Sequence, residues 1–299
     1  MWIAASVNSS IRRVVAALLI TASVVACGDA IDKESTVVPT TPSTASAVST
    51  TASAVSTTST ASTTAPAAAL QLLRVEVVDR RPHDSGSFIE GLVIAGGRLY
   101  ESSGLRGQST LREVDARTGA VIRRISIADK YFGEGIAVVD DRVIFLTWQE
   151  HTALVYQLSD FKQLTTFSYD TEGWGLCDDG ARLVMSDGTN QLYFRNRSTF
   201  AEQGRVSVTQ NGVPIDQLNE LECVEGQVYS NVWQTDKIVR IDPASGKVTA
   251  EIDASGLLTA DEKRGVDVLN GIAYDPAKKT FLLTGKYWPA MFEVRFVPR

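Results

Sequence analysis

From Leu70 onward, the chain consists of short runs in which apolar and polar residues alternate, and Gly, Asp and Asn residues separate the runs. Alternation places successive side chains on opposite faces of an extended strand, so the pattern predicts β-strands joined by tight turns. No run has the apolar spacing of a convincing amphipathic helix. The sequence therefore predicts an all-β domain over residues 70–299, about 230 residues long, which is enough to enclose one large core.

The runs form a fivefold repeat, in which each repeat begins with a similar segment at the start of a strand. The five segments are Glu90-Gly91-Leu92, Glu134-Gly135-Ile136, Trp174-Gly175-Leu176, Glu220-Leu221-Glu222 and Asn270-Gly271-Ile272. Successive segments begin 44, 40, 46 and 50 residues apart. A tight turn and a second strand follow each segment, and four of the repeats continue with a second hairpin. Two hairpins in about 40–50 residues is the length of a four-stranded propeller blade.

The fifth repeat lacks its outermost strand, because the chain ends just after the strand predicted over 291–297. The strand predicted over 70–78 precedes the first repeat and can supply the missing one. Pairing these two segments would remove an open sheet edge that otherwise favours aggregation. We therefore predict a five-bladed β-propeller that is closed by an N-terminal strand completing the last blade.

The repeat also predicts which end of the fold carries function. In each blade, the start of the first strand and the end of the second lie on one face near the axis, whereas the tight polar turns lie on the other. The residues at the first position are Glu90, Glu134, Trp174, Asn219 with Glu220, and Asn270, and those at the second are Trp148, Asp187, Trp233 and Lys286.

Three of these residues are tryptophans, and together with Phe88, Glu134 and Lys286 they predict an apolar-walled cup with a few polar groups, the usual form of a small-ligand site. A Glu or Asn at such a position could instead hydrogen-bond neighbouring blades, and a Trp at a strand end could simply fill the core.

The first 69 residues differ from the repeat in their pattern of residue types. Arg12 and Arg13 precede an apolar run of about 13 residues, which is too short to span a bilayer and is typical of a secretory signal. The run ends in Val24-Val25-Ala26-Cys27, which resembles a bacterial lipobox and makes Cys27 the predicted lipid anchor. An ordinary signal peptide with an incidental Cys is the alternative, and the export route, Sec or twin-Arg, is open.

Residues 28–69 are dominated by Ser, Thr, Ala, Pro and Val from Ser35 onward, which predicts a disordered tether. The predicted organisation is thus a signal peptide over 1–27, a tether over 28–69 and a folded domain over 70–299. We expect an exported protein, lipid-anchored on the outer face of the bacterial cytoplasmic membrane or in the cell envelope or periplasm, that touches the membrane only through its anchor.

Charge and composition exclude other classes. The net charge of −6 argues against nucleic acid as a partner, because such proteins cluster Lys and Arg against phosphates. The two histidines, His83 and His151, cannot form the usual His-rich catalytic zinc site, and no CxxC pair replaces them. The usual catalytic zinc site is therefore excluded. We expect a monomer without metal or cofactor, although calcium stays open as the alternative given below.

Ten motifs, in order along the chain, carry a specific resemblance. They are SFIEGL, ESSGLRGQSTLR, YFGEGI, LTWQ, EGWGL, MSDGT, LNELE, NVWQTDKIVRIDP, DVLNGIAYD and FLLTGKYWP. Together they resemble the glutaminyl cyclases of plant and bacterial type, which are peptide cyclotransferases on a five-bladed propeller and are unrelated to the zinc-dependent animal enzymes. The resemblance covers residues 72–297. It implies an acyltransferase that converts the N-terminal Gln of a peptide or protein to pyroglutamate, without metal, by intramolecular attack of the α-amine and loss of ammonia.

The resemblance also implies roles for individual residues. Glu134 matches the carboxylate that transfers protons, and Asn219 and Lys286 match residues that hold the substrate amide and the developing oxyanion. Those that match the aromatic walls are Phe88, Trp148, Trp174 and Trp233. We expect walls of this kind to raise the pKa of Glu134 by desolvation.

One position departs from the family pattern, because Glu90 stands where the family commonly has Gln. A carboxylate there could bind the substrate's α-ammonium, but it also adds a second negative charge near Glu134.

Two other functions fit the same residues. A calcium-dependent propeller lactonase could use oxygen ligands from Glu90, Asn219, Asp267 and Asn270, and a non-catalytic propeller could bind peptides without turning them over. Separately, Cys177 and Cys223 occupy the same repeat position in neighbouring blades. A disulfide between them is permitted in an exported protein, although the strand spacing near the axis could be too wide for it.

Overall fold

The computed structural model describes residues 69–299, and the regular structure in this range is entirely β-strand. The all-β prediction is therefore confirmed. Within these residues there is no helix of the length and apolar character needed to cross a membrane. The predicted signal peptide over 1–27, the lipid-anchor residue Cys27 and residues 28–68 of the predicted tether lie outside the described residues.

Twenty-two strands make up the described part of the chain. In chain order they are β1 (Gln71–Pro82), β2 (Ile89–Ala95), β3 (Arg98–Ser103), β4 (Thr110–Val114), β5 (Val121–Ser126), β6 (Gly133–Val139), β7 (Arg142–Thr147), β8 (Thr152–Gln157), β9 (Gln163–Ser168), β10 (Leu176–Asp178), β11 (Leu183–Ser186), β12 (Gln191–Arg195), β13 (Glu202–Ser207), β14 (Thr209–Gln210), β15 (Val213–Pro214), β16 (Leu218–Val224), β17 (Gln227–Val232), β18 (Lys237–Asp242), β19 (Lys247–Asp253), β20 (Leu269–Asp275), β21 (Thr280–Gly285) and β22 (Ala290–Pro298).

The strands associate in groups of four that follow the predicted repeats. β2–β5, β6–β9 and β10–β13 each form a separate antiparallel sheet. The remaining strands form one ten-stranded sheet in the order β16-β17-β18-β19-β1-β22-β21-β20, with β14 and β15 as a small hairpin beside β19. This hairpin lies in the connection before β16 and was not predicted, because it interrupts the repeat rather than belonging to it.

The N-terminal strand β1 joins the two ends of the chain. It pairs antiparallel with the last strand, β22, from Leu73 opposite Pro298 to Pro82 opposite Ala290. The partner predicted for the segment 70–78 is thus the one found. The first residues of β1 also pair in parallel with β19, which was not predicted and which merges two strand groups into the ten-stranded sheet.

The first strands of the five groups contact one another in sequence. β2 contacts β6, β6 contacts β10, β10 contacts β16, β16 contacts β20, and β20 contacts β2. Glycine allows this close approach: a Cβ atom on Gly135 would lie 2.6 Å from the carbonyl oxygen of Trp174, and one on Gly175 would lie 2.1 Å from that of Asn219. Gly135 and Gly175 are therefore required by packing between neighbouring inner strands.

Apolar side chains fill the spaces between successive groups. Phe145 and Leu111, for example, lie in a cluster shared by the β2–β5 and β6–β9 sheets, and both are fully buried. Ile89 packs with Leu282 and Met291, which joins the first group to the last. Removal of this apolar surface from water is the main force that holds the sheets together.

A disulfide links two neighbouring inner strands. Cys177 in β10 and Cys223 in β16 have Cα atoms 5.5 Å apart and form the bond that their shared repeat position made possible. The spacing of inner strands is therefore narrow enough for a disulfide at this register, which sequence reasoning left open.

We expect the disulfide to contribute substantially to stability, because it closes a loop of 46 residues in the unfolded chain. The double substitution Cys177→Ala with Cys223→Ala should lower the free energy of unfolding by about 2–4 kcal/mol. Urea unfolding followed by tryptophan fluorescence measures the change, and the wild type reduced with dithiothreitol is the matched control. A double variant as stable as the oxidised wild type would contradict this account.

Candidate active site

The residues predicted to form the cup lie at one end of the inner strands. Glu90, Glu134 and Asn219 are each the second residue of their strand, β2, β6 and β16. Trp148, Trp233 and Lys286 each follow the last residue of a second strand, β7, β17 and β21. Because first and second strands pair antiparallel, both positions fall at the same end of each sheet. The predicted placement of these residues is confirmed.

Glu90 and Lys286 form a buried ion pair. The Nζ atom of Lys286 donates to Oε1 of Glu90 at 2.8 Å, and the side-chain amide of Asn270 donates to Oε2 at 3.0 Å. The exposed fraction of Glu90 is 1% and that of Lys286 is 6%. Burial raises the pKa of Glu90 to about 7 although the nearby Lys286 acts to lower it. Both oxygens of Glu90 are therefore engaged by protein donors, and its role in binding the substrate's α-ammonium stays a prediction.

Glu134 is buried without a partner of its own. Its exposed fraction is 6%, and within residues 69–299 its side chain forms neither an ion pair nor a hydrogen bond. Burial raises the pKa of Glu134 well above its ordinary value, and the negative charge of Glu90 adds to the effect while Lys286 opposes it. Glu172 and Glu150 raise the pKa of Glu134 further. The direction expected from the sequence is found, with burial as its leading cause.

Aromatic side chains line the cup as two linked clusters. Phe88 packs edge-on against Phe132 and Tyr287, with ring centroids 6.2 and 5.2 Å apart, and Phe132 packs against Trp148 at 5.6 Å. Lys286 lies 4.5 Å from the ring of Phe88. Phe132 and Tyr287 were not predicted, although each is next to a predicted position along the chain: Phe132 precedes the start of β6, and Tyr287 follows Lys286.

The second cluster contains Trp174 and Trp233, whose ring centroids are 5.5 Å apart in an edge-to-face arrangement. Glu172 connects it to the first cluster, because its carboxylate accepts hydrogen bonds from the indoles of both Trp148 and Trp174. Contacts thus run without a break from Lys286 through the aromatic residues to Trp233. Sequence reasoning missed Glu172 even though it opens the quoted motif EGWGL, because it lies outside the repeated strand positions.

Asn219 and Glu220 are adjacent at the start of β16, but their side chains differ in hydrogen bonding. Glu220 is buried, and its two oxygens accept hydrogen bonds from the backbone N–H groups of Leu92 at 3.2 Å and Ile272 at 2.7 Å. Glu220 therefore joins three inner strands, which is the role considered above for a Glu that hydrogen-bonds neighbouring strands instead of binding a ligand. The side-chain oxygen of Asn219 is buried and has no hydrogen-bond partner within the described residues, while the backbone carbonyl of Asn219 accepts a hydrogen bond from Ser186 at 2.7 Å.

The oxygen ligands considered for calcium do not form a cation site here. Glu90 is bonded to the ammonium of Lys286 and the amide nitrogen of Asn270, which place hydrogen-bond donors where a cation would need oxygen atoms. Asp267 accepts a hydrogen bond from the backbone N–H of Val268 at 2.7 Å. Within residues 69–299, no group of three or more His, Cys, Asp or Glu side chains is arranged to hold a metal ion.

Comparison with known proteins agrees with this geometry. A family model described as glutamine cyclotransferase matches residues 47–296. Glutaminyl-peptide cyclotransferase from Arabidopsis thaliana is 39% identical over 226 residues, which cover 74% of this chain and 71% of the plant protein. The crystal structure of glutaminyl cyclase from Myxococcus xanthus superposes with a TM-score of 0.71 at 34% identity, and the match covers 77% of this chain and all of the bacterial one.

The chain belongs to the glutamine cyclotransferase family. The family predicted from the ten motifs is therefore confirmed, and with it the predicted enzyme class, an acyltransferase of the glutaminyl-peptide cyclotransferase type.

The donors around Glu90 lead to a prediction about calcium. Millimolar calcium should leave the melting temperature of the protein unchanged relative to the same protein in a chelator, because Lys286 already neutralises Glu90. A ligand that binds only the folded state at about 100 times its Kd would add about 2.7 kcal/mol to the stability. Thermal unfolding with calcium and with chelator measures the difference, and a clear rise in melting temperature with calcium would favour the lactonase alternative.

Proposed function

We propose that the cup cyclises the N-terminal Gln of peptides or proteins to pyroglutamate, with Glu134 as the group that moves protons and without a metal or other cofactor. The observation that carries this proposal is the state of Glu134, a buried carboxylate without a partner whose pKa lies well above its ordinary value. Membership of the glutamine cyclotransferase family supplies the reaction.

The reaction needs a base of unusual strength for a carboxylate. A peptide α-amine has a pKa of about 7.7–8.0, so near neutral pH most of it is protonated and cannot attack a carbonyl. A Glu of ordinary pKa, about 4.3, is some 3.5 units too acidic, which corresponds to a mismatch of about 5 kcal/mol for accepting that proton. The raised pKa of Glu134 narrows this gap.

The proposed sequence of steps conserves protons. Glu134 first takes one proton from the substrate's α-ammonium and releases it to solvent. The freed amine nitrogen then attacks the carbonyl carbon of its own side-chain amide and passes one of its two remaining protons to Glu134, so that the ring nitrogen keeps one. The protonated Glu134 then gives its proton to the amide nitrogen as the C–N bond breaks, so that ammonia leaves and the ring carbonyl reforms. The ring closure is intramolecular, and the enzyme gains rate by holding the substrate in its bent conformation.

Lys286 and Asn219 are proposed to stabilise the negative charge that develops on the side-chain oxygen during attack. A positioned cation or amide donor contributes most when water is excluded, and both residues are buried at the head of the cup. Phe88, Trp148, Trp174 and Trp233 are proposed to enclose the substrate's first residue. In this arrangement Glu90 holds Lys286 in place rather than binding substrate directly.

We also propose the finer fold predicted from the repeat, a five-bladed β-propeller whose last blade is completed by β1. The cyclic contacts among β2, β6, β10, β16 and β20 support it, as does the apolar cluster shared by the first and last strand groups.

The proposed setting is an exported monomer anchored through lipid on Cys27, on the outer face of the bacterial cytoplasmic membrane or in the envelope or periplasm. The sequence pattern of residues 1–69 supports this, and the disulfide between Cys177 and Cys223 fits an oxidising compartment. Its partners would be peptides or proteins with N-terminal Gln and no nucleic acid.

Replacement of the proposed proton carrier tests the function. Glu134→Gln keeps the shape of the side chain but cannot accept a proton, so kcat/KM should fall about 10²–10⁴-fold. Ammonia release and the corresponding loss of mass from a Gln-initiated peptide measure the activity, and circular dichroism checks the fold. Full activity in Glu134→Gln would assign the base elsewhere. A wild type that binds the peptide without releasing ammonia would favour the non-catalytic alternative.

Glu90 should set the pH range in which the enzyme works. Glu90→Gln removes a negative charge that raises the pKa of Glu134 and leaves the charge of Lys286 unopposed, so both changes lower the pKa of Glu134. Glu134 must be ionised to act as a base. The acid limb of the kcat/KM profile should therefore move to lower pH, while the rate at the plateau falls because Glu134 becomes a weaker base.

Glu222→Gln is the matched control, because Glu222 is a desolvated carboxylate at the far end of an inner strand, where burial raises its pKa to about 8. This variant should leave the acid limb in place. An acid limb unchanged in Glu90→Gln would mean that Glu90 and Glu134 do not interact as described.

A further inference from the structure

The carboxylate of Glu172 holds two walls of the cup at once. Its Oε2 atom accepts hydrogen bonds from the indole Nε1 of Trp148 at 2.7 Å and of Trp174 at 2.9 Å, and its Oε1 accepts from the side-chain amide of Gln149 at 2.9 Å. Glu172 lies in the connection between β9 and β10, between the second and third sheets. Trp148 directly follows β7 of the second sheet, and Trp174 lies two residues before β10 of the third, so one carboxylate couples side chains at the ends of separate sheets.

The chemistry of the indole explains why this contact fixes geometry. An indole N–H can only donate, and it has one direction in which to do so. Hydrogen bonds to an ionised carboxylate are shorter and stronger than neutral ones. Two indoles that share one oxygen atom must therefore keep their N–H edges directed at the same point, which limits the orientations that the two rings can take.

The remaining contacts of the two rings leave little freedom for other orientations. The ring of Trp148 packs against Phe132, and the guanidinium of Arg106 lies 5.7 Å from its centroid. The ring of Trp174 packs against Trp233, and a Cβ atom on Gly188 would lie 2.6 Å from it. Glu172 thus adds hydrogen bonds at the indole N–H groups of rings that also contact neighbouring side chains.

Glu172 is not suited to carry a proton in the reaction. Partial burial acts to raise its pKa, but the hydrogen bonds from Gln149, Trp174 and Trp148 outweigh burial and hold the pKa of Glu172 below its ordinary value. The side chain is therefore an anion where Glu134 is active, and its oxygens are engaged by donors.

We propose that Glu172 is a positioning residue, which orients Trp148 and Trp174 so that the bent N-terminal Gln is held for ring closure. This rests on the proposed function of the cup. Because the two walls meet the substrate only in the arrangement that Glu172 sets, loss of the contact should reduce kcat more than it raises KM. A displacement of about 1 Å at a reacting group can cost about 10²-fold in rate.

A substitution that keeps size but changes hydrogen bonding tests the proposal. In Glu172→Gln the indoles meet a neutral amide oxygen in place of a carboxylate, which weakens both hydrogen bonds, and the new NH2 group faces the donor amide of Gln149. We therefore expect kcat to fall about 10–100-fold with a smaller change in KM. Near-ultraviolet circular dichroism and acrylamide quenching of tryptophan fluorescence should change with it, since both report on the indoles without requiring turnover.

Glu150→Gln is the matched control. Glu150 is an acidic side chain at the same rim, pairs with Arg106 at 2.6 Å, and like Glu172 raises the pKa of Glu134, but it accepts no hydrogen bond from an indole. It therefore reproduces the loss of negative charge while leaving the hydrogen bonds from both indoles to Glu172 in place. Equal losses of kcat in Glu150→Gln and Glu172→Gln would assign the effect to charge and overturn the proposal.

A double-mutant cycle separates positioning from other roles. Trp148→Phe with Trp174→Phe keeps two aromatic walls but removes both N–H groups, so adding Glu172→Gln to this background should change kcat by less than about twofold. An undiminished effect of Glu172→Gln in that background would overturn the proposal. If the wild type released no ammonia, the function of the cup would fail, and the spectroscopic comparison would still decide whether Glu172 orients the indoles.

Discussion

One buried ammonium facing two buried carboxylates is the constraint on which the site depends. Charges are costly to bury unless they are paired, and the ion pair that Lys286 forms within residues 69–299 is with Glu90. Glu134 is left without a counter-ion of its own, so its neutral form is favoured and its anion becomes a stronger base. Burial is the leading cause of the raised pKa of Glu134, and the unequal pairing adds to it.

The same unequal pairing explains why similar residues at similar positions behave differently. Glu220 lies at the head of β16 much as Glu134 lies near the head of β6, and both are buried. Glu220 receives two backbone N–H groups and serves as a connection among strands. Glu134 receives none among the described residues and is presented to the cup. The two carboxylates are buried to nearly the same degree. They differ because backbone N–H groups donate to Glu220, whereas Glu134 receives no such donor within residues 69–299.

Much of the fold and of the site could be predicted because the chain repeats itself. The spacing of the opening segments located Glu90, Glu134 and Asn219 at strand starts, and the hairpin lengths located Trp148 and Lys286 at strand ends. The contact of Glu90 with Lys286 could not be predicted, because it depends on side-chain directions across the junction of the first and last strand groups. Glu172 and the β14–β15 hairpin were missed for a common reason: they lie in irregular connections, where no periodicity relates one residue to another. The parallel pairing of β1 with β19 depends on how far β1 extends, which alternation alone does not determine.

The direction of β1 has a consequence for how the molecule is presented to its surroundings. Gln71, at the beginning of β1, lines a cavity with Glu225 and Lys279, which belong to the tight turns at the end of the sheets away from Glu134. The strand then runs toward the reactive end and leads into Phe88. The chain therefore enters this domain at the end of the sheets that carries the tight turns, opposite Glu134. An addition at the start of β1 therefore meets the tight turns and not the residues that we propose to bind substrate.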